Sequence, residues 1–161
     1  MAEQKETTFS SDAILALLVD TISEAVIVYD SNFTIRIFNT AAQELFGIKA
    51  ADIIGERFSL DRTGEERWKS LSPIMYSSLA PTTVHLSEAG VYPQVIKIVS
   101  ENPHREFLVS TNHSSESVGG VRGFVKVIKD ITREASLVQS KSDFITIAAH
   151  QLRTPATAVA W

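Results

Sequence analysis

Ile131, Val138, Ile145, Leu152 and Val159 recur every seven residues, and Ala135, Ser142, Ala149 and Ala156 fall four places after the first four of them. A large aliphatic and a small residue at heptad spacing form a seam along one side of an α-helix. The run from 131 onward contains no glycine, and its single proline is Pro155. The spacing therefore predicts one long helix beginning near residue 131. Such a seam is buried only when a second helix lies against it. The expected partner is the same helix of a second copy, giving a homodimer through the C-terminal helix.

Upstream the pattern changes to short strands and turns. Residues 1–10, MAEQKETTFS, are polar and are expected to form a flexible tail. Ser11 or Asp12 is expected to cap a short helix through Val19 by accepting a free backbone N–H. Ala25 to Tyr29 is rich in β-forming residues, residues 30–32 (DSN) are turn chemistry, and Phe33, Ile35 and Ile37 alternate with Thr34 and Arg36. That pattern predicts a hairpin with one buried face. In NTAAQELFG, Asn39 is a helix cap, Ala42, Leu45 and Phe46 share one side, and Gly47 supplies a left-handed stop. IKAADIIGERF predicts another short helical piece ending near Gly55, and a further helix is expected from about Glu65 to Leu79, before Pro81.

Three more strands are expected over Tyr92–Val99, Glu106–Thr111 and Val121–Lys129, with turns at Asn102-Pro103 and Gly119-Gly120. Pro93 stands at the start of its strand, where a missing N–H is tolerated. Two strands, several short helices and then three strands, all locally connected, predict an α+β fold. It comprises a five-stranded antiparallel sheet with short helices on one face, followed by the long C-terminal coiled-coil helix. GGVRG, residues 119–123, is glycine-rich but falls in a hairpin, so it is assigned to turn chemistry rather than to a phosphate loop.

Composition narrows the function classes. The chain has no cysteine, which excludes disulfides, thiolate metal sites and thiol nucleophiles and fits a reducing cytoplasm. Its net charge is −4 and its Lys and Arg are scattered, so no nucleic-acid partner is expected. The apolar run Ala13–Val19 is too short to span a bilayer, so no membrane segment is expected in this chain and the expected location is cytoplasmic. The four histidines show no metal-ligand spacing, and no metal is expected. No Ser/His/Asp or paired-carboxylate constellation supports a hydrolase.

Residues 1–132 resemble a PAS sensor domain. The resemblance is carried by the FNTAAQELFG helix after the first hairpin, by DIIGERF and by a last strand ending VIKDIT, in that order and spacing. The tail, SDFITIAAHQLRTP, resembles the phosphoacceptor box of the dimerisation (HisKA) domain of sensor histidine kinases. Together the resemblances imply a tail at 1–10, a PAS sensor domain at 11–132, and a signalling helix with a truncated phosphoacceptor helix at 133–161.

The resemblance implies that His150 takes a phosphoryl group from ATP and passes it to an aspartate on a response regulator receiver domain. A histidine side chain is mostly neutral at pH 7 and then offers one ring nitrogen as a nucleophile. In the heptad His150 follows the seam residue Ala149, which places it on the flank of a helix pair. Such kinases commonly carry a carboxylate directly after the histidine, and here the residue is Gln151. An amide oxygen can hold one imidazole tautomer but cannot remove a proton. Thr154, one turn further on, falls where the family aligns the water that hydrolyses phosphohistidine. Pro155 cannot donate to the Gln151 carbonyl, so a bend below the histidine is expected. Asp130 and Thr132 join the last strand to the helix, and the resemblance makes that junction the carrier of the signal.

PAS domains hold haem, flavin, small acids or nothing between sheet and helices, so the cofactor is left unassigned. The photoreactive flavin class needs a cysteine. Among His85, His104 and His113 only His85 is a candidate axial ligand for haem, and an ordinary hydrogen-bonded role is favoured over it. Trp68 and Tyr76 are assigned to the core or to the pocket wall. The 161 residues contain no nucleotide-binding boxes. ATP is therefore expected to act only through a missing catalytic domain, and the chain alone is expected to be inactive. The expected function is the sensory part of a two-component histidine kinase. The alternative is a non-enzymatic ligand-binding or dimerising PAS module with a vestigial helix, dimerising through its PAS face or its N-terminal helix.

Overall fold

The computed structural model describes residues 10–101, 103–118 and 121–156, with the side chains of 12, 115–118, 121 and 152–156 outside that description. Helix α1 (Ser11–Asp20) is capped by Ser10 rather than by Ser11 or Asp12, its hydroxyl accepting from the Ala13 amide at 3.2 Å. Strands β1 (Ala25–Asp30) and β2 (Ile35–Phe38) form the first hairpin. Phe33, expected in the second strand, sits in the turn with φ 62°. Asp30 holds that turn. Its Oδ1 accepts from the amides of Asn32 and Thr34, and its Oδ2 accepts two N–H groups of Arg36. Burial opposes ionisation of Asp30, but the Thr34 amide, Arg36 and the Asn32 amide together hold its carboxyl below the usual range.

Helix α2 (Thr40–Phe46) begins and ends as the sequence predicts. Asn39 caps it and Gly47 closes it at φ 69°. A 3₁₀ turn at Ala50–Asp52 precedes Gly55, which also has positive φ, 86°. The single helix expected over 65–79 is instead two separate turns, α3 (Glu66–Lys69) and α4 (Ser72–Met75), followed by a 3₁₀ turn at Ser77–Leu79. Pro73 supplies the reason. It lacks the N–H that a continuous helix would need there, and it sits instead in the first turn of α4. Trp68, Leu71, Ile74 and Met75 are nevertheless all buried.

The sheet has six strands rather than five, in the order β2-β1-β6-β5-β4-β3, and every neighbouring pair is antiparallel. The unexpected member is β3 (Thr82–His85), a four-residue edge strand beside β4 (Gln94–Glu101). Strands β5 (His104–Val118) and β6 (Val121–Asp130) complete it. The predicted turn residues Asn102, Gly119 and Gly120 lie outside the described residues. Gly123 belongs to β6 rather than to a turn. A Cβ there would stand 2.5 Å from the Tyr29 carbonyl oxygen of β1, so close strand approach requires glycine.

Directly paired residues share a face of the sheet. One face carries Ile27 and Tyr29 of β1, Ile96 and Ile98 of β4, Phe107 and Val109 of β5, and Ile128 of β6. These residues join Ala42, Ile53, Phe58, Trp68, Leu71 and Ile74 in one buried cluster. Helix α5 (Thr132–Ala156) leaves the end of β6. Along it Leu137, Val138, Phe144, Ile145 and Ile147 are all exposed.

Candidate functional site

Three features could carry function: a cavity on the helix-covered face of the sheet, the strand-to-helix junction, and the outer part of α5. The cavity is unusual for its polar content. Gln94 of β4 pairs with Thr111 of β5, which lies two residues from the Val109 row, and Lys126 of β6 pairs with Thr111 on its other side. A polar row thus crosses three strands directly beside the apolar cluster of that face. Lys126 is only 7% exposed, and its ammonium donates to the Thr111 hydroxyl at 3.0 Å. Among the described residues no carboxylate lies within ion-pair distance of it. Burial alone pushes its pKa down to about 8.

Lys126 lines a cavity of about 370 Å³ whose walls include Tyr29, Phe33, Tyr76, Tyr92 and Phe124. The rings form a continuous array. Tyr29 stacks on Phe33 at 5.5 Å and on Phe124 at 5.2 Å, and Phe33 meets Tyr76 at 5.8 Å. Burial pushes the Tyr29 phenol well above its ordinary pKa, so it is neutral at physiological pH. A larger cleft of about 810 Å³ opens between α2, α4 and the β4–β5 hairpin. On its rim Lys69 is paired with Glu66, so that charge is already balanced.

At the junction the expected cap is present, and a further residue acts with it. Asp130 Oδ1 accepts from the Thr132 amide at 3.0 Å and from its hydroxyl at 2.5 Å. The Thr132 oxygen accepts in turn from the Glu106 amide at 3.0 Å, and the Ile131 amide donates to the Glu106 carbonyl at 2.8 Å. Both backbone groups of Glu106 on β5 therefore hold the start of α5. The Glu106 carboxylate pairs with Lys97 of β4 at 2.6 Å and faces His104 at 3.4 Å. The Lys97 ammonium first, against the opposing effect of burial, holds that carboxyl below its usual range.

His150 and Gln151 are both exposed on α5. The side chains of Thr154 and Pro155 lie outside the described residues. Asp130 and Thr132 meet each other, but eighteen residues of helix separate Thr132 from His150, a rise of about 27 Å. His85 lines the cavity, His104 faces Glu106, and His113 packs on Phe124 at 4.6 Å. Tyr76 is a wall residue, whereas Trp68 is wholly buried against Phe58. Sequence reasoning missed Lys126, Thr111 and Glu106. Lys126 stands inside the β-rich run FVKVIK, where alternation alone does not show which face turns inward.

An antiparallel sheet covered on one face by short helices, with a long helix leaving its last strand, is the PAS fold. The chain belongs to the PAS family: residues 13–131 match the family model, described as PAS fold. It is 29% identical to Drug sensory protein A of Synechocystis sp. over 167 residues, covering 96% of this chain and 25% of that protein. It is 27% identical to the uncharacterized sensor-like histidine kinase ycf26 of Porphyra purpurea over 150 residues, covering 93% of this chain and 23% of that protein. The chain thus spans about a quarter of the length of these relatives. Among solved structures it is similar to the PAS domain from Bordetella pertussis BvgS. The TM-score is 0.51 at 16% identity, over 85% of this chain and 99% of that one, a likeness of fold. Among the described residues no helix is long and apolar enough to cross a membrane.

Proposed function

We propose that this chain is the sensory part of a two-component sensor histidine kinase, in which the PAS domain is coupled through a dimeric helix to the phosphoacceptor His150. The observation that carries the reading is the continuity of α5. It starts on the last strand of the sheet and runs without interruption past an exposed His150. The sensor-like histidine kinase among the relatives agrees with it. In this reading one imidazole nitrogen of His150 bonds to the γ-phosphorus of ATP held by a separate catalytic domain. The bond to the β-phosphate oxygen breaks and ADP leaves. A receiver-domain aspartate then takes the phosphoryl group. Gln151 orients the ring, Thr154 positions the water that hydrolyses the phosphohistidine, and Asp130, Thr132 and Pro155 transmit movement from sheet to histidine.

The test mixes the chain with a separately expressed kinase catalytic domain and labelled ATP, and follows acid-labile phosphate. Wild type is expected to take up label and His150→Ala none. Absence of label with several catalytic partners would favour the second reading, a dimerising PAS module with an inert tail. One observation speaks for that reading. Helix α1 exposes Ile14, Leu15, Leu17 and Leu18, an apolar surface separate from that of α5.

A further inference from the structure

We propose that Lys126 is a covalent modification site for carbon dioxide: its buried side-chain amine adds the gas, and the carbamate so formed is held by the hydroxyl and amide donors beside it. A carbamate there deepens the sensory reading above by naming a class of stimulus, and as a stimulus it rests on that reading. The modification itself is measured without phosphotransfer, so either can fail alone.

A lysine adds carbon dioxide only as the free amine, because the attacking group is the nitrogen lone pair. Lys126 is buried and has no carboxylate within ion-pair distance among the described residues, so no opposite charge holds its proton on. With its pKa near 8, about one side chain in ten is deprotonated at pH 7, against roughly one in three thousand for an ordinary lysine. The step balances. The ammonium first releases a proton to solvent. The free Nζ then bonds to the carbon of carbon dioxide, one carbon–oxygen π bond opens to leave the charge on oxygen, and a second proton leaves nitrogen. A cation becomes an anion, and no bond of the chain breaks.

The surroundings suit that product. Thr111 Oγ1 accepts from the ammonium at 3.0 Å, and its own proton is free to turn to a carbamate oxygen. Gln94, on the other side of Thr111 in the same row, brings an amide to the cavity wall, and Tyr29 is a neutral phenol there. Donors beside Nζ single out carbon dioxide among the electrophiles that a free amine can add. A carbonyl compound would leave an iminium, a buried cation that draws on a carboxylate counter-ion, and the described residues offer none. The cavity of about 370 Å³ has ample room for three added atoms, and its apolar walls, Phe33, Met75 and Phe124 among them, suit an apolar gas. Tyr76, His85 and Tyr92 are the other titratable groups on those walls.

The experiment equilibrates the whole chain at neutral pH with isotopically labelled bicarbonate and dissolved carbon dioxide, traps carbamates as ethyl esters with triethyloxonium ion, and maps them by peptide mass spectrometry. Label is expected on Lys126 at an occupancy at least about tenfold that on Lys69 or Lys129, exposed lysines paired with Glu66 and Glu134. A sample purged of carbon dioxide is expected to carry none. Thr111→Val is expected to lower occupancy at Lys126 about tenfold while leaving Lys69 and Lys129 of the same chain unaltered, a selective loss that follows from removing a hydrogen bond to a charged group. Carbon dioxide added at fixed pH is expected to raise the melting temperature of wild type and not that of Lys126→Met. No label on Lys126, label there no greater than on Lys69 and Lys129, full occupancy in Thr111→Val, or an equal thermal shift in Lys126→Met would overturn the proposal.

Discussion

Lys126 is held at an energetic disadvantage. Its pKa falls from 10.5 to about 8, which corresponds to about 3 kcal/mol against the charged form. The sign follows from proton counting. Below about pH 8 both folded and unfolded chains keep the proton, and the full cost is present. Between about 8 and 10.5 the folded chain releases a proton that the unfolded chain retains, so stability rises with pH. Tyr29 acts oppositely above about pH 10, where the unfolded phenol ionises and the folded one does not. Urea unfolding is therefore expected to show stability climbing from pH 8 toward 10 and then falling. Lys126→Met should abolish the climb and add about 2 kcal/mol at pH 7. A wild-type profile flat over that range would refute the account of Lys126. This residue was not legible in the sequence. In FVKVIK and the following Lys129–Asp130, one face reads Phe124, Lys126, Ile128 and the other Val125, Val127, Lys129. Both faces have two apolar residues and one lysine, so alternation alone gives no inward side. Gln151 is the second residue with a kinetic consequence. In the phosphoacceptor reading, Gln151→Glu is expected to speed labelling of His150 on the order of tenfold by supplying a base. An unchanged or lower initial rate would show that the amide is adapted to its place.

At the scale of elements, local chemistry was legible wherever a residue has one conformational use. Asn39 and Gly47 bracket α2 as their side chains dictate. Tertiary context decided the rest. β3 has only four residues, mostly exposed, and such a run carries too little alternation to separate it from a loop. Trp68, Leu71, Ile74 and Met75 have helical spacing, and the structure buries them through two broken turns around Pro73. Asn39 also does more than cap. Its Oδ1 accepts from the amides of Val26 and Ala42, and its Nδ2 donates to the carbonyls of Val19, Ile22 and Glu24. It fastens α1, β1 and α2 together while only 1% exposed. Asn39→Ala is expected to cost about 3 kcal/mol in chemical denaturation, because it strands several buried groups. Ser10→Ala, which removes an exposed cap, should cost about 1 kcal/mol. Asn39→Asp separates the roles. It retains a capping oxygen yet points a carboxylate at backbone carbonyls, so it should destabilise nearly as much as alanine. Near-wild-type stability of Asn39→Asp would reduce Asn39 to a cap.

For the whole molecule, the heptad seam and the sheet make a division of labour testable. Val138 and Ile145 are 69% and 67% exposed in the single chain, so they contribute little to its own core. Replacing both with lysine is expected to convert a dimer to a monomer in sedimentation. The melting of the PAS core should change by no more than about 0.5 kcal/mol, as for other surface changes. A dimer that survives both charges would shift assembly to α1 or the face of the sheet. The junction at Glu106 then acquires a mechanical meaning. Two hydrogen bonds with Glu106 fix the base of α5 to β5, two more from Thr132 to Asp130 brace it at the end of β6, and the helix beyond them has little else to lean on. It is a lever with its fulcrum at Glu106 and an arm of about 27 Å to His150, so each degree of tilt at the base moves the far end by about half an ångström. In the proposed sensory reading, rearrangements of the sheet too small to alter its fold would be magnified to the scale of an atomic contact at the tip.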